Sequence, residues 1–239
     1  MGRISIDRPS TFRQYVNLLR KDLRQEFRTR DMISSMGIYA VLVLVIYGAA
    51  FGYTAQSIDV AQMSGGLLWA LIVFTSLLGL NRSFSHEREQ GCLEGILLVP
   101  LDRSVVYLAK ATSNLLFLAI VELIAIPLFY FLFLTSVELS ATVGFVVPPL
   151  ILGTVGVAGV GTMLSTITIN ARGKDVMLAI LFIPLVWPLL FACVSATSSA
   201  FLGGQFWFDT YGVSVLMAAA YDVIMLLVCW VLYDYAVSA

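Results

Sequence analysis

The separation of charge from apolar sequence constrains this chain most. All 14 Lys and Arg of its 239 residues fall before Met32, between Arg82 and Lys110, or at Arg172 and Lys174. Between these places run long stretches with almost no charge, and a helix needs about 20 mostly apolar residues to cross a bilayer. With 59% hydrophobic and 12% charged residues, against roughly 25% charged in soluble domains, a water-soluble core could not hide this much apolar surface. The runs predict an all-α integral membrane protein with six transmembrane helices, approximately 32–53, 63–80, 106–135, 141–167, 176–199 and 211–235, in a single membrane domain over 1–239. The connections around Asp59, Glu138 and Asp209 carry acids and no cations. The positive-inside rule therefore puts the basic loops and both termini in the cytoplasm.

The chain opens with a polar segment. Over residues 11–30, Phe12, Tyr15, Val16, Leu19, Leu23 and Phe27 recur at helical spacing, with Arg13, Arg20, Lys21, Arg24 and Arg28 mainly between them. This pattern predicts an amphipathic helix lying along the cytoplasmic interface, and Thr11 with Gln14 fits a capping box at its start. Its first apolar run begins only near Met32, so it is not expected to be a cleaved signal. Cys92, Cys193 and Cys229 are too scattered for a disulfide framework or a CxxC metal site.

The longest internal connection, 82–104, begins charged and ends apolar. It predicts a short surface helix in which Glu87, Arg88 and Glu89 face outward, Leu93, Ile96 and Leu97 anchor to the bundle, Gly91 and Gly95 permit close backbone approach, and Pro100 ends the helix. An ordinary solvated loop explains the same residues equally well. Here the sequence resembles the CcmB family, permeases of the haem-handling ABC complex of system I cytochrome c maturation. The resemblance rests on Leu77-Leu78-Gly79-Leu80-Asn81-Arg82-Ser83-Phe84, Glu87, Gly91, Leu93-Glu94, Leu97-Leu98, Pro100-Leu101 and Leu108-Ala109-Lys110. A second stretch, Arg172-Gly173 followed by Ile183-Pro184-Leu185-Val186-Trp187-Pro188-Leu189-Leu190-Phe191, is similar to the family's double-proline helix. Asn81 stands where members often carry Glu, and the basic N-terminal helix is longer than usual.

The resemblance implies an exporter-type ABC permease fold in a bacterial inner membrane. It also implies a CcmA-like ATPase partner, CcmC-like and CcmD-like membrane subunits, a CcmE-like haem chaperone and two permease copies. No G-x-x-x-x-G-K-[ST] phosphate loop occurs in the sequence, so ATP is expected on the partner, and no nucleic acid is implied. Glu87, Arg88, Glu89, Gly91, Leu93 and Glu94 are then the candidates for coupling to that ATPase. No catalytic residue, metal ligand or directly bound cofactor is expected. The single histidine, His86, is flanked by charges on the cytoplasmic side, so haem iron is expected on another subunit.

Within the spans, Glu122 and Asp222 are costly unless paired, protonated or wet, which makes both functional candidates; a hydrogen-bonded structural role is as consistent with each. Pro127, Pro184 and Pro188 are candidate kinks. Gly153, Gly156, Gly159 and Gly161 point to close helix packing, and Phe201, Phe206, Trp207, Phe208 and Tyr211 to an interfacial aromatic belt. Two rivals share these features: an ABC exporter permease for lipid, polysaccharide or drug, and an ion-coupled secondary transporter using Glu122 or Asp222.

Overall fold

A computed structural model describes residues 10–52, 60–89, 103–134, 139–168, 173–202 and 207–238. Its elements are α1 (Thr11–Thr29), α2 (Asp31–Gly52), α3 (Val60–Glu89), α4 (Arg103–Phe133), α5 (Leu139–Thr168), α6 (Lys174–Phe201), a π-helical turn (Trp207–Gly212) and α7 (Val213–Ser238). Helices α2 to α7 are six in number, each long and apolar enough to cross a membrane. Their outer faces carry large apolar side chains such as Ile38, Leu123, Phe131, Trp187, Phe191 and Leu216. Such a surface belongs against acyl chains, because in water it would far exceed the apolar patches that monomers expose.

Helix α5 is the hub, packed against α3, α4, α6 and α7. Its small residues explain why. Gly153 lies beneath the indole of Trp69 and Gly156 beneath the carboxyl of Asp222 and the side chain of Leu189, so a β-carbon at either position would collide with α3, α6 or α7. Gly159 and Gly161 make the same kind of close contact with Leu226 and Leu80. Lipid tails are as apolar as leucine, so close backbone approach replaces hydrophobic exclusion as the force holding such helices together. Trp69 is buried and donates its indole N–H to Thr197 Oγ1 at 3.0 Å, joining α3 to α6 at the same level.

Two sequence expectations are corrected. Helix α3 does not stop at the end of the apolar run near Leu80 but continues to Glu89, so residues 82–89 extend a span, while residues 90–102, where the surface helix was expected to anchor and end, lie outside the described residues. The predicted capping box is also absent. Ser10, not Thr11, precedes the first helical residue, and no side-chain cap bond forms; Gln14 N–H donates to Ser10 O at 3.1 Å as in any helix. Thr11 is already helical, and the box requires its threonine in the extended position before the helix.

The turn from α1 into α2 is a single residue. Arg30 adopts the left-handed conformation, φ 56° and ψ 17°, and its N–H donates to Glu26 O. Glu26 then folds its carboxylate over the start of α2, accepting the Ile33 N–H at 2.8 Å. An acidic group at that position satisfies one of the free donors of the first turn.

Candidate functional site

The Lys and Arg side gathers the starts of α2, α4 and α6 with the end of α3. There Tyr39, Phe74, Leu77, Asn81, Arg82 and Asp175 line a cleft of about 470 Å³. Asn81 and Arg82 belong to the stretch that carries the family resemblance, so the cleft lies at the root of the expected coupling segment. Glu87, Arg88 and Glu89 lie on the last turns of α3, where the helix projects beyond its apolar part. Their side chains, and Gly91, Leu93 and Glu94 entirely, lie outside the described residues.

Deeper in the bundle, α4 and α5 meet along a polar seam. Tyr107 donates to Gly159 O at 3.2 Å, Asn114 Nδ2 donates to Thr162 Oγ1 at 2.9 Å, and Thr154 Oγ1 lies 2.8 and 2.9 Å from the two oxygens of Glu122. Thr154 also lies 2.7 Å from Leu150 O. The hydroxyl is thus shared between the Glu122 carboxyl and the carbonyl one turn back on its own helix. Glu122 thus has a neighbour-helix partner, as a polar group inside a membrane requires. The seam was legible in part: Tyr107, Asn114 and Glu122 recur at intervals of about two helical turns along α4.

Asp222 is different. It is 4% exposed, and neither carboxyl oxygen has a hydrogen-bond partner among the described residues. Cys193 lies close enough to interact with it electrostatically, but the thiol is directed at Pro149 O, 3.6 Å away. The structure therefore leaves the two intramembrane carboxyls apart in role, one bonded across α4 and α5 and the other unbonded between α5, α6 and α7.

Pro127, Pro184 and Pro188 each lie inside an unbroken helix, as do Pro148 and Pro149 of α5, which the sequence reading had not singled out. Proline at 149 removes the N–H that would bond Phe145 O. Tyr211 supplies a substitute, its phenol donating to Phe145 O at 2.7 Å. The aromatic that sequence placed in a membrane belt thus also repairs α5. Away from the basic side, Pro127, Phe129, Tyr130, Leu134, Val146 and Phe201 line a nearly wholly apolar cavity of about 530 Å³.

On the basic side α1 is fastened to α4. Asp22 Oδ2 accepts from Ser113 at 3.1 Å and faces Lys110 Nζ at 3.6 Å, with Lys110 only 8% exposed; Tyr15 donates to Thr112 at 3.1 Å. Residues about 90 positions apart make this clamp, and periodicity within α1 carries no signal of it.

Comparison with known proteins supplies the family. The model of the CcmB family, described as CcmB protein, matches residues 13–237. This chain belongs to the CcmB family. Among its relatives is Heme exporter protein B of Pseudomonas aeruginosa, 24% identical over 186 residues that cover 78% of this chain and 81% of the relative. Heme exporter protein B of Rhodobacter capsulatus is 28% identical over 173 residues, 72% of this chain and 77% of the relative. That of Escherichia coli is 28% identical over 194 residues, 77% and 81% of the two chains. With six span-length helices and relatives from bacteria, the chain is a multi-pass bacterial membrane protein.

Proposed function

We propose that this chain is the permease subunit of an ABC complex that handles haem during cytochrome c maturation. The family match from residue 13 to residue 237 carries the reading. Haem is cargo of the complex, exported through it or released from it on a haem-loaded chaperone, and its iron is held by another subunit. The ATP site belongs to a CcmA-like partner, since this sequence has no phosphate loop. CcmC-like, CcmD-like and CcmE-like proteins complete the assembly, with two permease copies matching two ATPases. The complex lies in the bacterial inner membrane with the basic side and both termini in the cytoplasm.

Residues 82–104 transmit the ATPase's movement in this scheme. A helix that runs unbroken from the core of the bundle to Glu89 is a stiff lever, and it is a better conduit for force than a hinged loop. Glu87, Arg88 and Glu89 make the docking contacts, and Gly91, Leu93 and Glu94 belong to the same coupling segment. The test is complementation of a bacterium lacking its own family member, read by haem staining of c-type cytochromes. The native chain restores staining. Replacing Glu87, Arg88 and Glu89 together by Ala should abolish co-purification of the ATPase and lower staining at least tenfold, with the permease still in the membrane. Unchanged co-purification would move the docking surface elsewhere, and no staining with the native chain would sink the haem reading.

One observation favours a second reading. Asp222, buried and without a hydrogen-bond partner among the described residues, is what a proton-coupled secondary transporter would use. That reading requires activity that persists without the ATPase, whereas the permease reading requires its loss.

A further inference from the structure

Helix α1 has three faces, and only one of them is fastened to the rest of the chain. Gln14, Tyr15, Asp22 and Glu26 turn toward the bundle, where the clamp to Thr112, Ser113 and Lys110 and the cap on Ile33 hold them. This side is polar apart from Leu23, which packs on the core, and the two phenylalanines lie off it: Phe12 is 75% exposed and Phe27 58%. Beside that exposed apolar strip stand Arg13, Arg20, Arg24 and Arg28, all exposed. At 100° per residue the four arginines fall within an arc of about 80° and extend over about 22 Å of helix. Among the described residues none of the four makes an ion pair or side-chain hydrogen bond. The one lysine of the helix, Lys21, instead pairs with Asp22 at 3.2 Å on the bundle side.

We propose that the row Arg13, Arg20, Arg24 and Arg28 is a binding site for the headgroups of anionic phospholipids. The apolar strip sets the depth, since Phe12, Val16 and Phe27 enter the acyl boundary and leave the adjacent arginines level with the phosphates. The clamp sets the angle. A freely rotating amphipathic helix would spend entropy to align four side chains, whereas α1 is fixed at Arg30 and at Asp22 before any lipid arrives. Guanidinium groups suit phosphate because they bond it in a bidentate fashion. The proposal does not depend on the cargo, and it holds whether or not the complex moves haem.

The experiment uses the full chain reconstituted in vesicles of phosphatidylcholine with a minority of phosphatidylglycerol, and spin-labelled analogues of each lipid report the fraction in contact with protein. The native chain should prefer the labelled phosphatidylglycerol several-fold, with the preference falling as salt is raised. Replacing all four arginines by Gln should bring the two lipids to near equality, since the attraction of anionic headgroups to the helix is lost with its cations. Replacing all four by Lys should keep most of the preference, and this variant retains the charge if the Gln variant fails to fold. No preference in the native chain, or an undiminished one in the Gln variant, overturns the proposal. So does a Gln variant that keeps its lipid preference and loses the ATPase, because the row would then be a protein-docking face.

Discussion

At the scale of single residues, the two intramembrane carboxyls have opposite structural needs. Glu122 is bonded to Thr154 of the neighbouring helix. Glu122→Gln keeps a hydrogen-bonding group at the same reach, so its stability in detergent should stay within about 0.5 kcal/mol of native, while Glu122→Ala should cost about 1 kcal/mol. Thermal unfolding of the purified variants checks both, and a large loss for Gln would mean that the bond to Thr154 needs a carboxyl group. Asp222 has no bond to lose among the described residues. Asp222→Asn should therefore leave the melting temperature unchanged or raise it, and yet lower cytochrome c maturation if the carboxyl takes part in the cycle. Full maturation by that variant would reduce Asp222 to a packing residue opposite Gly156. Sequence marked both acids as costly, but it offered no means of telling a bonded one from an unbonded one, because the distinction lies in Thr154 and Gly156 on a different helix.

At the scale of elements, composition announces the spans but not where helices end. Hydropathy measures the membrane: it falls at Asn81, where the sequence turns polar. The helix itself has no reason to stop there, since Arg82 to Glu89 contains neither Gly nor Pro, and α3 continues through it. Conversely, Pro148 and Pro149 lie inside an intact α5 because other groups take over the carbonyls they free. That account can be tested at Tyr211. Tyr211→Phe should destabilise the bundle by about 1 kcal/mol, the usual worth of a buried hydrogen bond. In a Pro149→Ala background, where the helix regains the N–H that reaches Phe145 O, the same change should cost clearly less. Equal costs in the two backgrounds, measured as a thermal-stability cycle, would show that the phenol and the proline are not coupled.

At the scale of the whole molecule, charge decides how the bundle sits in its membrane. Lys and Arg occur only before Met32, from Arg82 to Lys110, and at Arg172 and Lys174, and in the structure the clamp of α1, the root of the coupling segment and the Arg82–Asp175 cleft share one side of the bundle. The other side holds the apolar cavity and the Tyr211 repair of α5. A permease driven by a cytoplasmic ATPase must present the first set to the cytoplasm, so topology and mechanism stand or fall together. Alkaline phosphatase, active only outside the cytoplasm, should be active when fused after Asp59, Glu138 or Gln205 and inactive after Glu94, Arg172 or Ala239. Moving the charge gives the sharper form of the test. Replacing Arg172 and Lys174 by Glu removes the cations between α5 and α6, but Arg82, Arg88, Arg103 and Lys110 still hold the preceding connection inside. The short loop alone should then become frustrated, lowering the amount of chain in the membrane without inverting the fusions at Asp59 and Glu94. An inversion of those fusions would mean that two residues near α6 outweigh all the cations before α5, which the positive-inside balance of this sequence forbids.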